Sequence, residues 1–185
     1  MVNLDRRPFS VDDFHEMAKL GLLSAEERVE LIEGEIVNMS PIGSRHAGCV
    51  NALTRLFAPL MLRRAAVISI QGPLRLNPRT EVYPDVQLLR PREDDYRHQL
   101  PGPEDVLLVI EVSDTTLDYD REVKLPLYAQ AGVPEVWIVD LMGERILVHR
   151  EPSAAEYSFR TLRRGGSVRL ERFADVELRV DEVLG

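Results

Sequence analysis

Two acidic residues stand where apolar runs begin or end. Asp85 follows Tyr83-Pro84 and precedes Val86-Gln87-Leu88-Leu89, and Glu111 lies near the end of Val106-Leu-Leu-Val-Ile-Glu-Val112. An ionised carboxylate in a dry site needs a partner or a metal. Pro-Asp is also a frequent turn dipeptide, and a glutamate at a strand end can reach solvent, so neither acid is decisive alone. The pair says more. Strands consecutive in sequence are neighbours about two times in three, and two carboxylates at one sheet edge repel each other unless a cation lies between them. Oxygen-only ligands favour Mg²⁺ or Mn²⁺ over zinc.

A third residue has the right chemistry to join them. Of the 23 Lys and Arg residues only Lys19 and Lys124 are lysines. Lysine is a compact point charge whose proton affinity responds to its surroundings, unlike arginine. Lys124 is one helical turn from Asp120 and from Tyr128, so the three share a face. The plainer reading is an exposed Asp120–Lys124 pair worth a few tenths of a kcal/mol. Pro126 conflicts with an uninterrupted helix here, so the helix must start later or bend. His46, in Ser44-Arg45-His46, sits at a helix N-terminus where anions bind well, and it is a candidate phosphate contact or a structural histidine. His15, His98 and His149 lack metal-ligand spacing.

The elements that must position these residues follow from pattern. Ser10-Val-Asp-Asp13 is a capping-box start for a short helix ending near Gly21. Ser24-Ala-Glu-Glu27 repeats the signal and predicts a second helix to about Ile32, stopped by Gly34. Glu35 to Met39 reads as a strand. Ser44 should cap a helix to about Arg63, with Val50, Leu53, Leu56, Phe57 and Leu60 at helical spacing. Strands are expected at 67–70, 74–76, 83–89 and 106–112, a loop at 91–103, a helix at 119–131 stopped by Gly132, and a strand at 136–140. Segments 146–150 and 157–162 form an antiparallel pair, and a last strand is expected near 177–180. The economical layout is an α/β fold with one mixed sheet flanked by helices, two of them N-terminal, and a C-terminal β extension.

The chain has 185 residues, 44% hydrophobic and 29% charged, as expected for one domain, residues 1–185, with a substantial core. No apolar run is long enough to span a membrane, and Met1 to Arg7 lacks a signal-peptide pattern. The lone Cys49 cannot form an internal disulfide and reads as a small buried hydrophobe. These features point to the cytoplasm. A net charge of -8 argues against a protein that coats nucleic acid, since such binding is driven by phosphate neutralisation. It does not exclude a nuclease. Arg63-Arg64, Arg90, Arg92, Arg97 and Arg163-Arg164 could follow a phosphate backbone, although charge runs are usually solvated faces.

Several blocks together resemble one family: Glu30-Leu-Ile-Glu-Gly-Glu35, Tyr83-Pro-Asp85, Val109-Ile-Glu-Val-Ser113, Arg121-Glu-Val-Lys-Leu125 and Tyr128-Ala-Gln-Ala-Gly-Val-Pro-Glu-Val-Trp-Ile-Val-Asp140. They are similar to the Uma2 family, restriction-endonuclease-like proteins of the PD-(D/E)xK superfamily. The resemblance covers nearly the whole chain. It implies an αβββαβ core, with Asp85 and Glu111 as catalytic metal ligands and Glu30 as a further one. The carbonyl of Val112 is a possible additional ligand. Ser113 stands where the superfamily usually has its lysine, and Lys124 supplies that amine from the following helix. His46 and Ser113 become candidate substrate contacts. The implied activity is Mg²⁺- or Mn²⁺-dependent hydrolysis of DNA. Cutting both strands needs a homodimer or higher homo-oligomer. A binding or interaction module that has lost the chemistry, and action on RNA or a small phosphodiester, are the alternatives.

Overall fold

The computed structural model describes residues 7–24 and 26–185. The segment 1–6, read above for a leader pattern, and Ala25 lie outside the described residues. Ser10 and Asp13 form the expected capping box, and α1 follows over Val11–Lys19. Its Val11 and Phe14 pack on Leu31.

Among the described residues, the second expected N-terminal helix does not form. Ser24 and Glu27 make a capping contact, with Ser24 N–H donating to the Glu27 carboxylate at 2.8 Å, but it closes only one turn. The chain then enters β1 (Val29–Ile32), antiparallel to β2 (Glu35–Asn38). Glu33 and Gly34 connect them with φ of 50° and 88°. Positive φ at both residues makes the two-residue turn whose twist suits a hairpin. Gly34 is thus a turn residue, not a helix stop. The burial of Glu30, Leu31 and Ile32 is satisfied by a sheet.

Helix α2 (Ser44–Leu62) buries Cys49, Val50, Leu53, Phe57 and Leu60. Its N-cap is Gly43, with no side-chain cap hydrogen bond, so Ser44 is the first helical residue and not the cap.

The strands form two main sheets where one was expected. A six-stranded sheet contains β3 (Val67–Ile70), β6 (Val86–Leu89), β7 (Val106–Ser113), β8 (Glu135–Asp140), β9 (Arg145–Ser153) and β10 (Glu156–Arg163), in the order β10-β9-β8-β7-β6-β3. Its central strands β6, β7 and β8 are buried along their whole length, as their unbroken apolar runs imply. Among the described residues only β7 and β8 pair in parallel, and the helical crossover between them carries Lys124. The second sheet, in the order β2-β1-β5-β4, takes β4 (Leu74–Asn77), which the sequence reading had placed in the main sheet, and β5 (Thr80–Val82). The expected 83–89 strand is therefore shortened to Val86–Leu89. Pro84 has no N–H for a ladder, and Tyr83 to Asp85 carry the chain from one sheet to the other. The αβββαβ core survives as α2, β3, β6, β7, the crossover and β8, with β4 and β5 inserted.

That crossover is one helical stretch of three parts: α3 (Leu117–Tyr119), a π-helical turn over Asp120–Lys124, and α4 (Leu125–Gln130). The Leu125 N–H reaches back five residues to the Asp120 carbonyl. The wide turn ends just before Pro126, which cannot donate to the turn behind it. The conflict posed by Pro126 is resolved by widening the helix. The tail forms β11 (Ser167–Arg169), which pairs with β12 (Glu177–Arg179), and α5 (Val180–Leu184). Cys49 is buried, its thiol donating to the Val183 carbonyl at 3.3 Å. Among the described residues, no helix is long and apolar enough to cross a membrane.

Candidate active site

The polar residues meet at the seam between the two sheets. Val86 pairs with Ile110, so one further step of the same antiparallel register sets Asp85 opposite Glu111. The Val112 amide donates to Asp85 Oδ2 at 2.9 Å, and Gln71 Nε2 donates to Oδ1 at 3.1 Å. His46, in the first turn of α2, places Nε2 3.0 Å from Asp85 Oδ2. Burial alone would raise the Asp85 carboxyl. Its hydrogen bond and attraction to His46, with those from Val112 and Gln71, outweigh burial and hold it below the usual range.

Lys124 is the hub. Its Nζ lies 2.7 Å from Glu111 Oε1 and 3.0 Å from Glu30 Oε1, and all three side chains are at most 4% exposed. Burial opposes its charge, but Glu111, Tyr128, Glu30 and Asp120 carry it well above the ordinary lysine range. The amine stays protonated. Glu111 also accepts from the Tyr128 hydroxyl at 2.5 Å. Burial pushes the Glu111 carboxyl up to about 8; Lys124 pulls it down, while Asp120, Asp85 and Glu30 push it further up. Glu30 is held from the other sheet: the Tyr83 amide donates to Oε1 at 2.8 Å and the Tyr119 hydroxyl to Oε2 at 3.3 Å. Asp120 Oδ2 accepts from Ser113 at 2.7 Å and Thr116 at 2.8 Å. Burial raises its carboxyl; Lys124 and the two hydroxyls restrain it.

These groups open on a cavity of about 500 Å³ lined by Glu30, His46, Asp85, Glu111, Val112, Asp120 and Lys124. The structure thus brings together all the sequence candidates except Ser113. That residue is buried away from the cavity and bonded to Asp120. The expected shared face of Asp120, Lys124 and Tyr128 is present, since all three are buried on the crossover. The sequence reading treated Asp120 mainly as a surface partner of Lys124 and gave Tyr128 no role. It gave none to Gln71, Tyr83 or Tyr119 either. A buried-face pattern with polar tips at 116, 120, 124 and 128 was the available signal. Four of the seven arginines that could follow a nucleic-acid backbone hold acceptors of the chain, Arg90 through the Glu104 carbonyl at 2.9 Å. Arg63 pairs with Asp175, Arg92 with Asp94, and Arg164 with Glu144.

The donor set suits a hard divalent cation. Four buried acids, Glu30, Asp85, Glu111 and Asp120, face the cavity beside one lysine; burial is the main reason the Glu111 carboxyl is raised, and repulsion from the other three adds to it. Among the described residues, no three His, Cys, Asp or Glu side chains form a ready-made metal cage. Mg²⁺ does not need one, because it keeps several waters and takes one or two carboxylates. Asp85 and Glu111 fit that demand.

Comparison with known proteins bears on the family and the fold. None of the curated proteins matches the chain. A solved structure from Anabaena variabilis, described as a "putative nuclease belonging to DUF820", superposes with a TM-score of 0.71 at 16% identity, covering 96% of this chain and 98% of that one. At that identity the likeness concerns the fold alone. The profile of the Uma2 family, described as "Putative restriction endonuclease", matches residues 11–181. With nearly the whole described chain spanned by that match, the protein belongs to the Uma2 family of restriction-endonuclease-like proteins.

Proposed function

We propose that the protein is a divalent-metal-dependent endonuclease that hydrolyses DNA phosphodiester bonds, with Asp85, Glu111 and Lys124 as its catalytic residues. The observation that carries this reading is the Lys124 amine, held between Glu111 and Glu30 beside Asp85 on one cavity. Asp85 and Glu111, with the Val112 carbonyl, would hold Mg²⁺ or Mn²⁺. Such an ion polarises a phosphoryl oxygen and lowers the pKa of a bound water.

The chain's own residues have defined tasks. Lys124 stays charged and offsets the negative charge that grows on the pentacovalent phosphorus. Glu30, anchored by the Tyr83 amide, sets where that amine points. His46 keeps Asp85 ionised and orients it, and lines the cavity that a phosphate would enter. Ser113 acts at one remove by fixing Asp120. The described chain is read as one domain in the cytoplasm. One such site cuts one strand, so double-strand cleavage calls for a homodimer, which light scattering after gel filtration would reveal.

The test is nicking of supercoiled plasmid and cleavage of labelled DNA with Mg²⁺ or Mn²⁺. Asp85→Asn, Glu111→Gln and Lys124→Met should each lower turnover by about 100-fold or more. Equal rates in the wild type and all three variants would overturn the assignment.

A further inference from the structure

We infer that Arg28 binds the phosphate next to the scissile one, where the active-site cavity adjoins a second cavity beside α1; this inference rests on the nuclease reading above. Arg28 enters the site through the smaller sheet. The Met39 amide donates to its carbonyl at 2.8 Å, which carries the β1–β2 ladder one residue beyond the Val29–Asn38 pair. Arg28 is therefore extended, and its side chain falls on the same side as that of Glu30. Two residues of strand separate them by roughly 7 Å. Glu30 in turn holds the Lys124 amine at 3.0 Å. A second cation thus stands about one sugar-phosphate repeat from the amine assigned to the scissile group.

The guanidinium is largely unspent. Arginine carries several N–H donors in a planar fork and no acceptor. Among the described residues, the side-chain hydrogen bond of Arg28 is a long one, to the Ser40 carbonyl at 3.4 Å. The residue is half-buried, and a charge partly withdrawn from water calls for a partner. The other fixed cation lining the cavity, Lys124, is matched by Glu30 and Glu111. Arg45 nearby is matched by Asp114 at 3.3 Å. Arg28 has no such carboxylate among the described residues. Its fork matches two oxygens of one phosphate.

The surrounding space suits a backbone that continues past the site. Arg28, Met39 and Tyr83 line the active-site cavity of about 500 Å³ and also the neighbouring one of about 380 Å³. Phe14, His15 and Gln71 wall the second cavity. A strand that sets one phosphate at Lys124 has a route past Arg28 into it. Gln71 carries no charge, and His15 already pairs with the buried Glu81 at 2.9 Å. The phosphate is left to Arg28.

The experiment reads that one phosphate by its salt dependence. Binding of a labelled DNA duplex to the full chain is followed by fluorescence anisotropy over a salt series. Asp85→Asn is the background, so that the DNA stays intact, and Arg28 is compared with Arg28→Gln and Arg28→Lys. Arg28→Gln keeps a donor for the Ser40 carbonyl and loses the charge. It should bind about tenfold more weakly, and the slope of log affinity against log salt should shrink by about 0.9, the share of one duplex phosphate. Arg28→Lys should restore the slope. Arg63→Gln, whose partner is Asp175, should leave it unchanged. A merely structural side chain would move the melting temperature and not the slope. With Asp85 restored and Mg²⁺ or Mn²⁺ added, Arg28→Gln should raise KM more than it lowers kcat. An unchanged slope in Arg28→Gln, or an equal fall in Arg63→Gln, overturns this inference and leaves the nuclease reading standing. If the slope shrinks as expected but the wild type cuts no DNA, the phosphate contact stands and hydrolysis does not. A wild type that neither binds nor cuts DNA overturns both.

Discussion

Lys124 satisfies two buried carboxylates with one compact charge, which explains why a chain so rich in arginine keeps a lysine here. Its removal exposes two problems at once. Lys124→Met leaves Glu30 and Glu111 buried without their cation, and breaking such a group costs about 3–5 kcal/mol. Glu111→Gln removes a charge that the site holds at a cost, so it should lose activity with less loss of stability and is the cleaner test of chemistry. Tyr128→Phe probes the same carboxylate more gently. It deletes only the hydroxyl that donates to Glu111 from a fully buried ring. Loss of a partner that orients a metal-binding carboxylate should lower activity or metal affinity about 10–100-fold, measured by cleavage kinetics and calorimetric titration with Mn²⁺. Cys49 makes the opposite point. Burial, with a smaller push from Asp85, raises its thiol to about 12. The thiolate is the reactive form. Cys49 should therefore resist a colorimetric thiol reagent at pH 8 in the native state and react stoichiometrically in denaturant.

The π-helical turn is the element on which the site's geometry depends. It places both Asp120 and Lys124 inward, while α4 keeps Lys124 and Tyr128 one turn apart. Deleting the exposed Glu122 would let the turn close to α geometry. Asp120 would then swing out of register with Lys124, and Tyr119 would lose Glu30. Circular dichroism should change little, whereas cleavage should fall to background; retained activity would show that the wide turn is dispensable. A second element responds to pH. His149 on β9 stacks on Phe159 at 5.9 Å between centroids. Burial, with repulsion from Arg121, holds its imidazole below the usual range against backbone hydrogen bonds at Val136 and Leu147. The unfolded chain therefore binds this proton more readily than the fold does. Stability should be full above about pH 6.5 and decline below it, and His149→Phe should flatten that part of the melting-temperature profile. Legibility at this scale was uneven for physical reasons. The buried strands β7 and β8 could be read because an unbroken apolar run has few other uses. The β1–β2 hairpin could not, because Ser24 and Glu27 form a genuine local cap and Glu33-Gly34 suits a helix stop as well as a tight turn. The expected strand ran through Pro84, and only the pairing of β5 with β1 shows that the chain changes sheets there. Asp85, Glu111 and Lys124 could be named from their runs and from residue type. Their shared shell of Tyr83, Tyr119 and Tyr128 comes from contacts distant in sequence.

At the scale of the whole molecule, the site is also the joint between two sheets. Glu30 comes from the smaller sheet and Glu111 from the larger, and Lys124 binds both. One of the covalent links between them is the short Tyr83–Asp85 crossing, whose first amide is tied to Glu30 and whose last side chain is tied to Val112. Shared buried partners of this kind should make the sheets unfold together, so one calorimetric transition is expected; two resolved transitions would mean that the sheets are independent units. A cation at the joint should act on the same equilibrium. The acids facing the cavity repel one another, and a bound ion relieves that repulsion only in the folded chain. Binding at about 100 times the dissociation constant contributes about 2.7 kcal/mol, which for a chain of this size raises the melting temperature by roughly 5–10 °C. Mn²⁺ should therefore stabilise the wild type in a saturable way, and Asp85→Asn should abolish the shift while leaving a single transition. An equal shift in that variant would place the ion elsewhere, and with it the chemistry proposed for the joint.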